Sequence, residues 1–173
     1  EFNLQLRDIS EFIRSLPRGS RVMVAYVRGG SLEIRQKFTT DLQSAASSMR
    51  VVNSSESSSP RNPFDGVNDA LNRFDALPTG RRAILLVSDG LDLSQGIAGS
   101  SPSQSTELDR AILRAQRRSV SVFSIFSPTV STGNGNSVLT LNGQGSLSRL
   151  ADETGGRAYF QGSVAPISFN PFF

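Results

Sequence analysis

The chain has 173 residues, of which 37% are hydrophobic and 19% are charged, and its formal net charge is +3. This length fits one domain with a single buried core. The chain contains no histidine and no cysteine, which excludes Ser-His-Asp and Cys-His nucleophilic sites, zinc sites of the usual ligands, redox dithiols and disulfides. Any metal would need oxygen ligands, as magnesium, manganese and calcium do.

The basic residues are scattered along the chain, and the only adjacent pairs are Arg81-Arg82 and Arg117-Arg118. Nucleic-acid binding usually needs a clustered basic face with aromatic residues for stacking, so we expect no nucleic-acid partner. No apolar run approaches the ~20 residues that cross a bilayer, which predicts no membrane insertion. The chain opens on Glu1 and Phe2 with no signal-peptide pattern, so the signal of an exported protein would have been removed or would lie outside this sequence.

The first part of the chain predicts two helices around a strand pair. Apolar residues recur at helical spacing before Pro17 and Gly19, and two runs rich in strand-forming residues flank a predicted turn at Gly29-Gly30. A serine-rich loop follows the second helix. The predicted elements are a helix over 4–16, strands over 21–28 and 32–38, a helix from the Thr39-Thr40-Asp41 cap to about Met49, and a loop over 53–59.

The second part alternates helices and strands. The run Arg82–Ser88 is apolar without alternation, which is typical of a parallel strand covered on both faces. Asp65 occupies an N-cap position before a helix. The predicted elements are helices over 66–77, 106–118 and 146–153, strands over 82–88, 120–126 and 157–161, and polar loops over 89–105 and 127–145.

This alternation predicts an α/β fold with a mainly parallel sheet. Ligands of such folds bind at the carboxyl ends of the strands, and long polar loops there are seldom without a function. We therefore predict an interaction face formed by 53–65, 89–105 and 127–145.

The strongest local signal is Ser88-Asp89-Gly90 directly after the apolar strand. An exposed Asp89 carboxylate would suit a divalent cation or a phosphate-handling site. The alternative is that Asp89 only caps the following turn. Enzyme motifs are missing: the sequence has no phosphate-binding G-x-x-x-x-G-K-[ST] and no G-x-S-x-G, and its single lysine, Lys37, falls in a predicted strand. We therefore predict that the chain is not an enzyme.

Five segments carry a resemblance over essentially the whole chain: SRVMVAYV (20–27), KFTTD (37–41), ILLVSDG (84–90), LDRAILRAQRRSVSVFSIF (108–126) and LSRLADETGGRAYF (147–160). Together they resemble the von Willebrand factor type A (VWA) domain, in the family's order. The tail PISFNPFF also resembles VWA-related domains typical of Acidobacteria. The resemblance implies a three-layer Rossmann-like fold with a mainly parallel central sheet, one antiparallel edge strand and helices on both faces. It implies one domain over 1–163 with a Phe/Pro-rich tail over 164–173 packed on it.

The family's metal ion-dependent adhesion site takes ligands from a D-x-S-x-S loop, a threonine in a second loop and the aspartate after the fourth strand. Asp89 matches that aspartate, with Ser88 a weaker candidate ligand, and Asp65 stands at the threonine position. The D-x-S-x-S loop and its strand are missing. The resemblance thus implies a degenerate or incomplete site for Mg²⁺, Mn²⁺ or Ca²⁺. The predicted interaction face includes Asp92, Asn62 and Ser94.

From these observations we expect a non-enzymatic, adhesion-like interaction module that is secreted, periplasmic or part of the cell envelope. Its partner would be another protein or a second copy of the chain. Two alternatives are a structural envelope domain without a ligand and, less favoured, a carboxylate-based, Mg-dependent enzyme acting on phosphate groups.

The resemblance also implies a first strand between strands 21–28 and 82–88. Without it about ten backbone groups would lose their partners, at about 1–3 kcal/mol each. We expect this strand from residues ahead of Glu1, with the tail 164–173 or a second chain as the alternatives.

Overall fold

The computed structural model describes residues 2–28, 31–50, 62–128 and 137–160. The protein is α/β, with a three-stranded parallel sheet flanked by helices and a separate antiparallel strand pair, which is compatible with a Rossmann-like fold. Its contacts divide it into two compact units, one containing 2–28 and 32–50 and the other containing 62–128 and 137–160. The single domain over 1–163 stays a prediction, and the tail 164–173 lies outside the described residues.

The first unit confirms the predicted helix, strand pair and short helix. Ile9 and Ile13 recur at helical spacing and are buried on the first helix, which packs against the second at Ala45 and Ala46. The Asp41 carboxylate caps the second helix by accepting a hydrogen bond from the Ser44 amide at 2.9 Å. The elements are α1 (Phe2–Ser15), β1 (Val22–Arg28), β2 (Ser31–Thr39) and α2 (Leu42–Ser47).

The second unit is built on three parallel strands in the order β3-β4-β5. The register pairs Arg82 with Val120 at one end of β3 and Ser88 with Phe126 at the other. No helix within the described ranges is both long and apolar enough to cross a bilayer. The elements are α3 (Pro63–Arg73), a 3-10 turn (Phe74–Ala76), β3 (Arg82–Ser88), a 3-10 turn (Ala98–Ser100), α4 (Thr106–Arg117), β4 (Val120–Phe126), α5 (Ser137–Thr154) and β5 (Ala158–Tyr159).

The core of this unit lies between β4 and the helices packed on it. Both α4 and α5 contact β4, and α3 packs against α4. Removing their apolar side chains from water stabilises the unit by roughly 25 cal/mol per Å² buried. The fully buried residues include Phe64, Leu71, Leu108, Ala111, Ala115, Val122, Ile125, Leu147 and Leu150.

Strand β3 is less buried than its apolar sequence predicts. Leu86 is buried, but Ala83 is exposed and Leu85 and Val87 are half-buried. Among the described residues β3 pairs only with β4 and β1 only with β2, so β3 is an edge strand. The further strand expected beside β3 stays a prediction.

Two predicted helix starts are wrong. The last helix begins at Ser137 rather than about 146, so 137–145 is helix and not loop. The sequence suggested a loop because Asn142, Gly143 and Gly145 are poor helix formers, and tertiary packing overrides that preference. Helix α3 is capped by Asn62, which accepts from the Phe64 amide at 3.0 Å, and not by Asp65. The cap moves upstream because proline at 63 fits the first helical position.

Candidate functional site

The candidate site lies at the carboxyl ends of β3 and β4. The segment 89–105 leaves β3 there, residues 127 and 128 leave β4 there, and α5 returns from the same end. The first turn of α3 reaches this end too, since Asp65 is close enough to Asp92 for the two charges to interact. The described parts of the predicted interaction face therefore share one end of the sheet. Residues 53–61 and 129–136 of that face lie outside the described residues.

The turn after β3 is held by its own side chains. Ser88 accepts from the Gly90 amide through its Oγ at 3.0 Å, and Asp89 accepts from the Leu91 amide through Oδ1 at 3.3 Å. Asp89 is only 8% exposed. The interpretation of Asp89 as an open carboxylate is therefore wrong, and the turn-capping alternative describes its geometry.

Asp92 is the centre of a buried hydrogen-bond network. Its Oδ1 accepts from both the amide and the hydroxyl of Ser94, and its Oδ2 accepts from the Ser105 hydroxyl at 2.6 Å. The Ser105 Oγ in turn accepts from the Leu108 amide at 3.2 Å and so caps α4. This network ties the segment after β3 to the beginning of α4.

Asp65 lies at the junction of α3 and α4 beside a second carboxylate. Burial raises the pKa of Asp65 above its usual value, and the nearby Glu107 and Asp92 raise it further, while Arg110 opposes them. Glu107 itself forms an ion pair with Arg110 at 2.8 Å. The Asn68 amide nitrogen lies 3.5 Å from the backbone oxygen of Glu107. The ionised form of Asp65 is thus disfavoured by burial and by the two nearby carboxylates.

The structure brings some of the predicted residues together and changes the roles of others. Asp65 and Asp92 are neighbours, with Asp89 in the adjoining turn. Asn62 and Asp92 are buried, at 4% and 2% exposure, so neither can offer its side chain to a partner, whereas Ser94 is exposed. Membership of all three in an interaction face stays a prediction.

Sequence reasoning missed Ser105, Glu107 and Asn68. Ser105 precedes a helix, which is a recognisable N-cap signal. Nothing in the sequence indicates that its hydroxyl would reach Asp92, thirteen residues away. Asn68 lies on the apolar face of α3, and its buried Oδ1 has no hydrogen-bond partner among the described residues.

The residues at this end do not fit a complete cation site. The described part of the chain contains no group of three or more acidic side chains arranged to hold a metal. Both oxygens of Asp92 and one oxygen of Asp89 already accept hydrogen bonds. A cation bound there would share these oxygens with the backbone and hydroxyl donors, since an ionised carboxylate has about four lone-pair sites.

Comparison with known proteins bears on the fold. No family model and no curated protein matches the sequence. The structure is similar to that of a serine-substituted form of an aerotolerance-related membrane protein from Bacteroides fragilis, with a TM-score of 0.60 and 16% identity, covering 93% of this chain and 81% of that one. It is also similar to BatB from Bacteroides thetaiotaomicron, with a TM-score of 0.61 and 18% identity, covering 92% and 78%. The chain has the fold of these bacterial proteins. At such identities the likeness shows the fold alone.

The raised pKa of Asp65 predicts a specific pH dependence. A carboxyl group whose pKa is higher in the folded than in the unfolded protein favours the folded state when it is protonated. Its contribution to the free energy of unfolding is therefore fully present below the unfolded pKa of 3.8 and is lost as the pH rises through the folded pKa. We expect the free energy of unfolding of the wild type, minus that of Asp65→Asn, to fall as pH rises from about 3 to 6. Urea titrations across this range measure the difference. A difference that stays constant with pH contradicts the prediction, and Asp69→Asn, a change on an exposed site of the same helix, is the control.

Proposed function

We propose that this chain is a non-enzymatic protein-interaction module of the VWA type. The interaction face is the carboxyl end of β3 and β4, with the exposed part of segment 89–105 as its main described contact region. The observation that supports this most is the Asp92 network, which fixes a polar segment to a rigid helix start. Binding residues are often found on such loops held by a rigid scaffold.

The VWA assignment has two supports. The sequence segments that resemble the family occupy matching elements, with ILLVSDG spanning most of β3 and the turn after it. The likeness to BatB and to the aerotolerance-related protein supports an α/β fold of the same general kind. The aerotolerance-related protein is a membrane protein, which supports a place in the bacterial cell envelope, and we propose that location for this chain.

The proposed metal site is degenerate. Asp89 and Asp65 are the residues nearest to the family pattern, yet Asp89 caps its own turn and Asp65 adjoins Glu107. Adding about 1 mM Mg²⁺, Mn²⁺ or Ca²⁺ should therefore leave the melting temperature unchanged, because stabilisation by a ligand requires binding to the folded state. A rise of several degrees that disappears in Asp89→Asn would show an intact site instead.

The enzyme alternative has a separate test. A phosphate-handling enzyme would hydrolyse a generic phosphate ester in the presence of Mg²⁺. We expect no turnover above the uncatalysed rate. Turnover that is lost in Asp89→Ala would overturn the non-enzymatic proposal.

Site-specific crosslinking tests the interaction face directly. A photo-reactive amino acid at Ser94 lies on the proposed face, and the same group at Thr79 lies near the amino end of β3. Both positions are exposed, so the two probes are equally accessible. We expect a discrete crosslinked protein from Ser94 and none from Thr79 in cells of the source organism. Equal labelling from both positions, or none from Ser94, supports the structural-domain alternative.

A further inference from the structure

The outward face of α4 combines arginines with an exposed leucine. The opposite face of this helix packs into the core through Leu108, Ala111, Ile112 and Ala115. Leu113 points outward and is 52% exposed. It lies one helical turn from Arg110 and Arg117 and next to Arg114, and these side chains line a shallow groove together with Thr106 and Asp109. We call Leu113, Arg114 and Arg117 the α4 groove.

Most charges around the α4 groove are already paired. Arg110 binds Glu107 at 2.8 Å, and Asp109 binds Arg149 at 2.8 Å. Arg118 holds Asp75 through two hydrogen bonds of 2.9 Å. The acidic groups near the groove are thus neutralised by other arginines.

Arg114 and Arg117 are the exceptions. Arg114 donates to the side-chain oxygen of Asn72, which is uncharged. Among the described residues neither Arg114 nor Arg117 has a carboxylate within ion-pair distance, and Arg117 is exposed. Arg114 is near enough to Asp75 to interact with its charge, but Arg118 forms the direct ion pair with that carboxylate. The groove therefore offers two guanidinium groups without a direct carboxylate partner among the described residues, beside one exposed apolar side chain.

We infer that the α4 groove binds an acidic segment of a partner protein. An apolar residue of that segment would pack on Leu113, and carboxylates on either side would pair with Arg114 and Arg117. Arginine suits this role because its planar guanidinium binds carboxylates in two-point contacts and is weakly hydrated. Leucine in the groove favours a peptide over nucleic acid, since the groove has no aromatic side chain on which bases could stack.

This surface is separate from the proposed interaction face, because it uses the outer side of α4 rather than the segments that follow β3 and β4. Neither Arg114 nor Arg117 takes part in the Asp92 network. The two proposals can therefore fail independently.

A designed peptide tests the inference. The probe is a fluorescent helix-forming peptide of about 15 residues with leucine on one stripe and glutamates one turn to either side, and its match has glutamine in place of every glutamate. Fluorescence anisotropy with the full chain measures both. We expect the glutamate peptide to bind at least about tenfold more tightly than the glutamine peptide. The affinity for the glutamate peptide should fall as the salt concentration rises.

Variants locate the binding. The double variant Arg114→Glu, Arg117→Glu should weaken binding of the glutamate peptide at least about tenfold, and Leu113→Ser should weaken binding of both peptides. The control is Arg18→Glu with Arg21→Glu, which changes the net charge equally at two exposed positions outside the groove. Arg117→Gln provides a milder change should the double reversal fail to fold.

Three results would overturn the inference. Equal losses in the groove variant and the control variant would show general charge attraction. Equal binding of the two peptides would remove the role of the carboxylates. Tighter binding of duplex DNA or of phosphatidylglycerol vesicles than of the glutamate peptide, lost in the groove variant, would assign the groove to another class of partner.

Discussion

Replacing Gly143 with alanine should lower the free energy of unfolding by about 2 kcal/mol or more, because a side chain there cannot fit without moving backbone. A Cβ atom at this position would lie 2.1 Å from the Asp89 carbonyl oxygen and 3.6 Å from Leu91. The facing residue is also glycine: a Cβ at Gly90 would lie 2.3 Å from the Gly143 oxygen, and Gly90 has a positive φ of 70°. Helix α5 can approach the turn after β3 only because both positions lack a side chain.

The direction of this effect is informative because helix propensity predicts the opposite sign. Alanine in a helix interior is favoured over glycine by about 1 kcal/mol. The control is Gly80→Ala, where no heavy atom lies within 4 Å of the added Cβ, and its effect should stay within about 0.5 kcal/mol. Urea unfolding followed by circular dichroism measures both variants. A Gly143→Ala protein as stable as the wild type would show that α5 does not press against the turn.

The same contact explains why the sequence predicted a loop over 137–145, where the structure has the first part of α5. Residues 137–145 contain two glycines and an asparagine, a composition typical of loops. Their helical state depends on tertiary packing, including the Asn142 amide donating to the Ser100 hydroxyl at 3.0 Å. By contrast α4 could be predicted closely, since its apolar residues recur at helical spacing. Local patterns predicted the elements whose sequence preference agrees with their tertiary packing.

The candidate site shows the same limit. The sequence correctly indicates that a polar turn follows β3, because an apolar run ends in Ser-Asp-Gly. It cannot decide between an open and a buried carboxylate, since that depends on atoms distant in the chain. Asp92 is buried because Ser105 approaches it, and Asp65 is perturbed because α3 and α4 bring it to Glu107. Charge partners of this kind follow from tertiary packing and have no local signature.

Replacing Asp92 with alanine should be the other strongly destabilising change, by about 2–4 kcal/mol, since hydrogen bonds to charged groups are strong and a buried donor left unpaired adds its desolvation cost. Asp92 is 2% exposed and accepts three hydrogen bonds, from the amide and hydroxyl of Ser94 and from the hydroxyl of Ser105. Without it the Ser105 hydroxyl, also 2% exposed, loses its acceptor.

A double-mutant cycle with Ser105→Ala separates the network from simple truncation. Ser105→Ala alone removes the N-cap of α4, at about 1 kcal/mol, and takes one donor from a buried carboxylate. Because the two residues share a hydrogen bond, the double variant should lose less than the sum of the single losses, with a coupling of about 1–3 kcal/mol. Ser103→Ala is the matched control, because its exposed hydroxyl lies 3.1 Å from the Ser101 hydroxyl and forms no hydrogen bond with Asp92 among the described residues, and it should show no coupling to Asp92. Additive losses for Asp92 and Ser105 would mean that the segment after β3 is not anchored to α4, and the rigid platform on which the proposed interaction face depends would be absent.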